Sequence, residues 1–444
     1  MSGPKVVRIV TREEILAICA GHLRRLETAI ARWEQHATRI GELNASEQAA
    51  TYARRDQLQR LIDADQLREL QTRVPIEIEF LQRDLAQREA RAVQRATEQR
   101  QWQRRLRENA ATLLKALHDK DAPAALLEQL QALADGQGSE QAERTLAQGF
   151  AALSTAPAES RLSEAQQQLA RRLQTDSAPL TLAQWRAAHE QREPRLLDID
   201  RHIAHLQTLD SHASAEPYLA KLTLIEEEHR PQQRNLLLDS LVLELAAATR
   251  ACNERRARWA QLQDLAAEVE TLLGETAEAL LKQVQQCTAE DLETVSALSE
   301  QCTALIAEHL QQQAALARRQ AVLEGLSSLG YEVREGMATA WAEKGRVVLR
   351  KTATPGYGVE VGGSADNGRL QVRAVALTAN HDTQRDKDIE TIWCSEFQRL
   401  QALLAAQGDD LSIEKALAVG AVPLKEVALD AALEQQDVRQ LRTL

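Results

Sequence analysis

Arginines are concentrated in one segment whose pattern is typical of a helix that binds nucleic acid. Residues 83–107 contain eight arginines against three acidic residues, and Trp102 lies among them. On a helix, guanidinium groups can contact a phosphate backbone and release its counterions, while an aromatic ring stacks on a base. The candidate nucleic-acid-binding residues are Arg88, Arg91, Arg95, Arg100, Arg104, Arg105 and Arg107.

The same arginines also fit a helix flank that pairs with acids of a neighbouring helix. The arginines at 88–95 occupy one flank of the helix, whereas most of those at 100–107 occupy another. Long packed helices carry such charges beside their apolar seam. The acidic run Glu226-Glu227-Glu228, later in the chain, is a suitable partner. This second interpretation is favoured over nucleic-acid binding.

Two histidines and an aspartate have the spacing of a metal site on one helix face. Asp198, His202 and His205 lie at i, i+4 and i+7, and two imidazoles with a carboxylate can bind zinc. A closed site needs a fourth ligand, which His189 or His212 would have to supply across a bend in the chain. The pattern therefore favours a polar helix stripe, and we predict no metal ion and no cofactor.

Carboxylates in the last quarter of the chain raise the question of a nuclease. Asp386, Glu390 and Glu396 could lie near Lys351 and Arg373, and metal-dependent nucleases need such groups to converge. Acids near residue 386 are, however, also favoured by the dipole of a helix that begins there. The chain has no phosphate-binding loop and no nucleophile elbow. We therefore predict no catalytic residue and no enzymatic activity.

Apolar spacing predicts long helices over most of the chain. The capping box Thr11-Arg12-Glu13-Glu14 predicts a helix from Thr11 to about Gly41. A second helix is predicted from Ser46 to about Thr72, and a third from Pro75. In the third, apolar residues recur every three or four positions up to Leu117, as in a coiled-coil seam. Shorter helices are predicted at 121–177, and long ones resume from a second capping box at 181–184 and end near 326.

After residue 326 the pattern changes to short strands. Strands are predicted at 338–343 and 346–351, joined by a tight hairpin turn at Lys344-Gly345, and again at 357–361 and 370–377. Helices are predicted at 386–407, after Ser412, and from Lys425 to the end. The β-like run at residues 6–10 cannot be stable alone, so we expect it to join the edge of this sheet.

Two aromatic residues of the predicted C-terminal domain are candidate partner-binding residues, Trp341 and Tyr357. Aromatic side chains dominate protein interfaces as well as cores because each buries a large area. For Trp341 the sequence allows two interpretations, a core residue or an anchor that faces a partner. Trp393, Phe397 and Leu400 recur at helical spacing and are predicted to pack their helix onto the sheet.

Composition limits the class of protein. In 444 residues, 44% are hydrophobic but only 3% aromatic, which excludes an all-β protein and argues against a large Rossmann or barrel enzyme. The net charge of -11 disfavours a non-specific nucleic-acid coat. No apolar run is long enough to span a membrane. Five scattered cysteines without a Cys-x-x-Cys pair indicate reduced thiols in a cytoplasm, and the excess of arginine and alanine suggests a bacterial source.

The predicted fold class is mainly α, with long antiparallel coiled-coil helices and a small C-terminal α+β domain, an antiparallel β-meander plus helices. The predicted divisions are an N-terminal strand (1–10), an outgoing arm (11–120), a tip of short helices (121–180), a returning arm (181–326) and the α+β domain (327–444). Because alanine-rich seams bury little apolar area, protein partners or self-association are expected to add stability.

The favoured function is a non-enzymatic scaffold or accessory subunit of a bacterial multiprotein complex, which docks partners through its helical arms and C-terminal domain. The alternative is a nucleic-acid-binding component of a phage-defence or chromosome-associated system, acting through residues 83–107. A nuclease-like C-terminal domain is the third hypothesis.

Overall fold

A computed structural model describes residues 4–118, 122–137, 141–154, 181, 184, 193–210, 212–378 and 381–427. The protein is mainly α-helical with a small sheet, which confirms the predicted fold class. The helices are α1 (Arg12–Arg39), α2 (Ala45–Asp63), α3 (Leu67–Leu117), α4 (Ala124–Ala134), α5 (Ala142–Ser154), α6 (Pro194–Leu209), α7 (His212–Glu226), α8 (Pro231–Leu273), α9 (Glu278–Gln286), α10 (Leu292–Ser328), α11 (Met337–Lys344) and α12 (Thr383–Ala406).

Six strands form one sheet in the order β2-β3-β4-β1-β5, and the short β6 pairs in parallel with β4. The strands are β1 (Lys5–Val10), β2 (Arg346–Arg350), β3 (Tyr357–Gly362), β4 (Arg369–Ala376), β5 (Asp410–Ala416) and β6 (Lys425–Glu426). All pairs other than β4 with β6 are antiparallel. β1 lies between β4 and β5, so the N-terminal strand joins the sheet at an inner position rather than at its edge.

The core of the sheet lies on one face, where α10 and α12 pack. Alternate residues of β1 are buried, as expected for a strand with one covered face. Trp393, Phe397 and Leu400 of α12 are buried in this core, which confirms their predicted packing.

The chain divides into two compact units. The sheet unit comprises Met1–Trp33, Asn44–Gln82 and Ala257–Leu444, and the helical unit comprises Glu34–Leu43 and Arg83–Arg256. The predicted domain boundaries remain a prediction.

The predicted start of the third helix was wrong. Pro75 lies inside α3, which already begins at Leu67. The break between α2 and α3 is made instead by Asp65, whose φ of 56° is left-handed. The apolar seam of α3 is as predicted for most of its members, because Leu81, Leu106 and Leu113 are buried.

The predicted hairpin at Lys344-Gly345 was also wrong. Residues 337–344 form α11 rather than a strand, and Gly345 is the left-handed residue that ends this helix. Gly336 has a left-handed φ at the other end. Turn residues at both ends of an eight-residue segment fit a short helix as well as two hairpins. The Gly345 backbone N–H donates to the Trp341 carbonyl four residues earlier, which is the bond of a helical turn.

Near the C-terminus the two predicted helices are replaced by strands. Residues after Ser412 belong to β5, which pairs with β1, and Lys425–Glu426 forms β6. Pairing with the N-terminal strand overrides local helix propensity here. The remainder of the last predicted helix, from residue 428, lies outside the described residues.

The capping boxes differ in outcome. The Thr11 hydroxyl accepts the Glu14 backbone N–H at 3.4 Å, but the Glu14 carboxylate binds Arg318 instead of closing the box. Thr181 and Gln184 make both reciprocal bonds, at 2.9 and 3.2 Å. The helix predicted to follow lies outside the described residues, as does most of the predicted tip beyond α4 and α5.

Candidate functional site

The first arginines of the candidate nucleic-acid helix are engaged by carboxylates within the helical unit. Arg88 is 5% exposed and donates to Asp84 at 2.6 Å and to the backbone carbonyl of Glu42. Arg91 donates to the Glu42 carboxylate at 3.1 Å, and Arg95 binds the same carboxylate. Charge pairing of this kind fixes α3 against the segment that ends α1.

The next arginines surround a buried aspartate of α6. Asp200 is 1% exposed and accepts two hydrogen bonds from Arg104, each 3.1 Å long. Arg100 lies 3.4 Å from the same carboxylate, and Arg104 also binds Glu226. Glu226 belongs to the acidic run that the sequence analysis named as a partner for this segment. Two guanidinium groups and two carboxylates therefore hold α3, α6 and α7 together.

Burial and charge act in opposite directions on these arginines. Burial disfavours the charge of Arg104, but its hydrogen bonds to Asp200 and the charges of Asp200 and Glu226 outweigh burial and raise the Arg104 pKa. For Arg100, burial is the larger influence and lowers the pKa, although Asp200 opposes it. Arg104 is thus the better-compensated member of the pair.

The last two candidates are exposed. Arg105 donates to the Gln101 carbonyl one turn earlier, and the Arg107 guanidinium lies against Gly136. Trp102 is 44% exposed. Five of the seven candidate arginines bind carboxylates of the same unit. This is the arrangement that the paired-flank interpretation predicts; binding of nucleic acid stays a prediction.

The histidines of α6 bind polar residues of α8. His202 Nδ1 lies 3.0 Å from the Thr249 hydroxyl, and His205 Nε2 lies 2.9 Å from Asn253 Oδ1. Asp198 forms an ion pair with Arg201 at 3.0 Å. These histidines line an open groove of about 820 Å³ between α3, α6 and α8. Across the described residues, no three histidine, cysteine or acidic side chains are placed to hold a metal ion.

The carboxylates of the hypothetical nuclease site have separate partners. Glu396 accepts hydrogen bonds from Tyr331 and Lys351, both at 2.5 Å. Asp386 binds His381 at 3.0 Å and the Tyr357 hydroxyl at 3.3 Å. Burial and the neighbouring Glu396 raise the pKa of Tyr331.

Glu390 and Arg373, the other members of that set, are also engaged elsewhere. Glu390 accepts the Gly420 backbone N–H at 2.6 Å. Arg373 shares the Glu360 carboxylate with Lys425. The contacts of Asp386, Glu390 and Lys351 do not bring these three side chains to one another.

The two candidate partner-binding aromatics are core residues. Trp341 is 1% exposed and Tyr357 is 4% exposed, and both belong to the core under the sheet. The prediction that they anchor a partner is corrected, because a side chain this buried offers almost no surface. Trp341 sits on α11, which the sequence analysis placed in a strand.

A leucine stripe on the outer face of α8 was not predicted from the sequence. Leu236 is 70% exposed and Leu243 is 71% exposed, while Leu238, Leu241 and Leu245 on the opposite face are buried. At 100° per residue, Leu236, Ser240, Leu243 and Ala247 lie on one side of the helix, and all four are exposed. We call these four residues the leucine stripe. An all-round apolar segment at 236–245, rather than an amphipathic one, is the signal that could have revealed it.

Both flanks of the leucine stripe carry an ion pair. Asp239 on one flank binds Arg195 of α6 at 2.9 Å, and Glu244 on the other binds Lys221 of α7 at 2.5 Å. All four side chains are between 33% and 55% exposed. The rim is therefore electrically balanced around an apolar centre.

No known protein-family model matches this chain, and comparisons with curated proteins and with solved structures also find no match. None of the described helices is both long and apolar enough to cross a membrane.

Proposed function

We propose that the protein is a non-enzymatic scaffold or accessory subunit of a multiprotein complex, and that the leucine stripe of α8 joins it to a second copy of the same chain. The exposure of Leu236 and Leu243 carries this proposal. The charged side chains predicted to do chemistry largely bind one another, whereas the stripe offers apolar side chains to solvent. Contiguous exposed apolar side chains with a polar rim mark protein interfaces.

The shape of the stripe suits a second helix in antiparallel orientation. Small Ser240 and Ala247 alternate with the two leucines, so a facing leucine has a hollow to enter. An antiparallel pair that sets Leu236 of one copy against Leu243 of the other brings Ser240 close to the two-fold axis. Such a contact is isologous, because the same surface serves both copies.

The charges at the rim favour a second copy over a strongly basic or acidic partner. Each flank of the stripe carries one acid and one base. In an antiparallel pair like flanks meet, so the Asp239–Arg195 ion pair of one copy meets the same ion pair of the other. The balanced rim therefore lets two chains of net charge -11 approach at this surface.

The expected association is weak. Burying a leucine side chain contributes about 1.5 to 3 kcal/mol, and the loss of translational and rotational freedom offsets much of the sum over four leucines. We therefore expect a dimer whose population rises with protein concentration.

Sedimentation equilibrium over a range of concentrations tests this function. The wild-type chain should shift from monomer towards dimer, and the double variant Leu236→Gln, Leu243→Gln should remain a monomer. Glutamine keeps helix propensity high, so α8 should still form. Circular dichroism checks that the helix content is unchanged.

The matched control is Leu316→Gln, which removes a 43% exposed leucine from α10 in the sheet unit. This variant should dimerise like the wild type. A wild-type chain that is monomeric at every concentration, or a double variant that dimerises as well as the control, contradicts the proposal.

A further inference from the structure

Lys5 is a buried lysine in a position where the strand pattern calls for an apolar residue. Lys5, Val7 and Ile9 form the inner face of β1, and Lys5 is only 2% exposed. Among the described residues, no group meets the geometry of a hydrogen bond to Lys5 Nζ. A buried polar group without a partner destabilises the fold, so its presence calls for an explanation.

One face of α12 packs against the Lys5 amine. Glu390, Cys394 and Phe397 lie four and three residues apart, which places them on the same side of the helix. Lys5 Nζ lies 5.0 Å from the centre of the Phe397 ring. Burial lowers the Lys5 pKa. Of the neighbouring groups that oppose this and raise the pKa, Cys394 acts most strongly and Glu390 follows.

The two partners differ in access to solvent. Cys394 is a free cysteine and is partly exposed to solvent. Lys5 is buried, so its amine is shielded from solutes and has Cys394 as a neighbour. Burial lowers the Lys5 pKa, which favours the neutral amine, the form that acts as a nucleophile.

We propose that Lys5 Nζ and Cys394 Sγ form a reversible nitrogen–sulfur cross-link when the protein meets hydrogen peroxide. The Cys394 thiol loses its proton and its sulfur attacks one peroxide oxygen; the O–O bond breaks, the departing hydroxide takes up that proton, and the products are a sulfenic acid and water. The Lys5 amine then attacks the sulfur; an N–S bond forms, the S–O bond breaks, and hydroxide leaves with the amine proton as water.

Atoms and electrons balance over the two steps. Thiol, amine and one peroxide give the N–S linked pair and two waters. Sulfur is oxidised by two electrons and peroxide is reduced. A thiol reductant cleaves the N–S bond and restores both side chains. The cross-link ties the N-terminal strand β1 to α12, so it acts as an oxidation-dependent staple in the sheet unit.

Mass spectrometry of the full-length chain after peroxide treatment tests this inference. Trypsin should release a cross-linked pair in which residues up to Arg8 are joined to residues 388–399. Its mass should be about 2 Da below the sum of the two peptides, because two hydrogens are lost. Dithiothreitol should return the separate peptides.

Variants separate this cross-link from general oxidation. Cys394→Ser and Lys5→Arg should each abolish the linked pair, whereas Cys287→Ser, which removes the other partly exposed thiol, should leave it intact. Only sulfenic or sulfinic acid at Cys394 of the wild-type chain, or no change there, overturns the inference. The wild-type result alone decides the matter, so misfolding of a variant does not obscure it.

Discussion

Arg104 in the helical unit and Lys5 in the sheet unit are both basic side chains largely shielded from solvent, but their surroundings are opposite. The Arg104 side chain is 18% exposed and binds Asp200 and Glu226. Lys5 is 2% exposed and faces an aromatic ring and a thiol. The carboxylates raise the pKa of Arg104, whereas burial lowers the pKa of Lys5.

This difference distinguishes a basic side chain that supports the fold, Arg104, from one that can react, Lys5. A guanidinium that binds two carboxylates holds helices together, and few of its N–H donors remain available to a ligand. A buried amine without such partners is destabilised in its charged form and gains nucleophilic character. Burial alone therefore does not tell which basic residues bind, react or merely support the fold.

Removing the carboxylate at the centre of the arginine cluster should have the largest effect. Asp200→Ala leaves Arg100 and Arg104 in a largely dry site without their shared partner. Breaking such a buried pair costs about 3 kcal/mol of unfolding free energy. Urea unfolding followed by circular dichroism measures the loss.

The matched control is Glu226→Gln, which removes the more exposed carboxylate of the same cluster. Its loss should be below about 1 kcal/mol, because an exposed pair contributes little. Equal losses for the two variants would show that Asp200 is not the centre of the cluster.

A smaller effect with the opposite sign is expected at the lysine. Lys5→Met replaces an unpartnered amine by an apolar chain of similar length, and should raise the unfolding free energy by about 1 kcal/mol at neutral pH. Thermal or urea unfolding of the two chains side by side measures the difference. A clear loss of stability in the variant would mean that the amine has a partner that supports the fold.

The pH dependence of stability carries the same information. Because burial lowers the folded-state pKa of Lys5 from 10.5, the unfolded chain binds more protons between the folded pKa and 10.5. This contribution to the unfolding free energy therefore rises with pH across that interval and is absent in Lys5→Met. Unfolding curves at several pH values below 10.5 should converge for the two chains, because the wild type is the less stable chain at neutral pH and gains stability relative to the variant as pH increases.

The smallest effect is expected from the arginines as ligands for nucleic acid. Filter binding of the wild-type chain across a salt series should give little binding and no steep salt slope, because five of the seven arginines already bind carboxylates. The variant Arg105→Ala, Arg107→Ala, which changes the two exposed candidate arginines and leaves the Asp200 cluster intact, should behave like the wild type in this assay. A steep slope that flattens in the variant would restore the nucleic-acid hypothesis.

The sequence predicted most of the long helices because their signal is local. The seam of α3 and the packing face of α12 follow from apolar spacing, and the short strands 357–361 and 370–377 are close to β3 and β4. The strand β5 was missed because its stability comes from pairing with β1, some 400 residues earlier in the chain. No window of local sequence contains that information.

The candidate sites were harder to predict for a similar reason. Spacing placed Arg104 on a flank, and the acidic run containing Glu226 was recognised, but the central partner Asp200 was not. Lys5 was visible as a charge in an apolar run, yet only the position of α12 gives it Cys394 as a neighbour. Trp341 and Tyr357 show the converse, since aromatic residues indicate cores and interfaces equally well.

Cysteine cross-linking at the centre of the leucine stripe tests the scaffold proposal most directly. Ser240→Cys should form a covalent dimer under mild oxidation, because the antiparallel contact brings residue 240 of two copies together. Gln311→Cys, an exposed position on α10, and the wild-type chain are the controls. We expect a disulfide-linked dimer of Ser240→Cys well above both controls, and a dimer yield no greater than theirs would contradict self-association through α8.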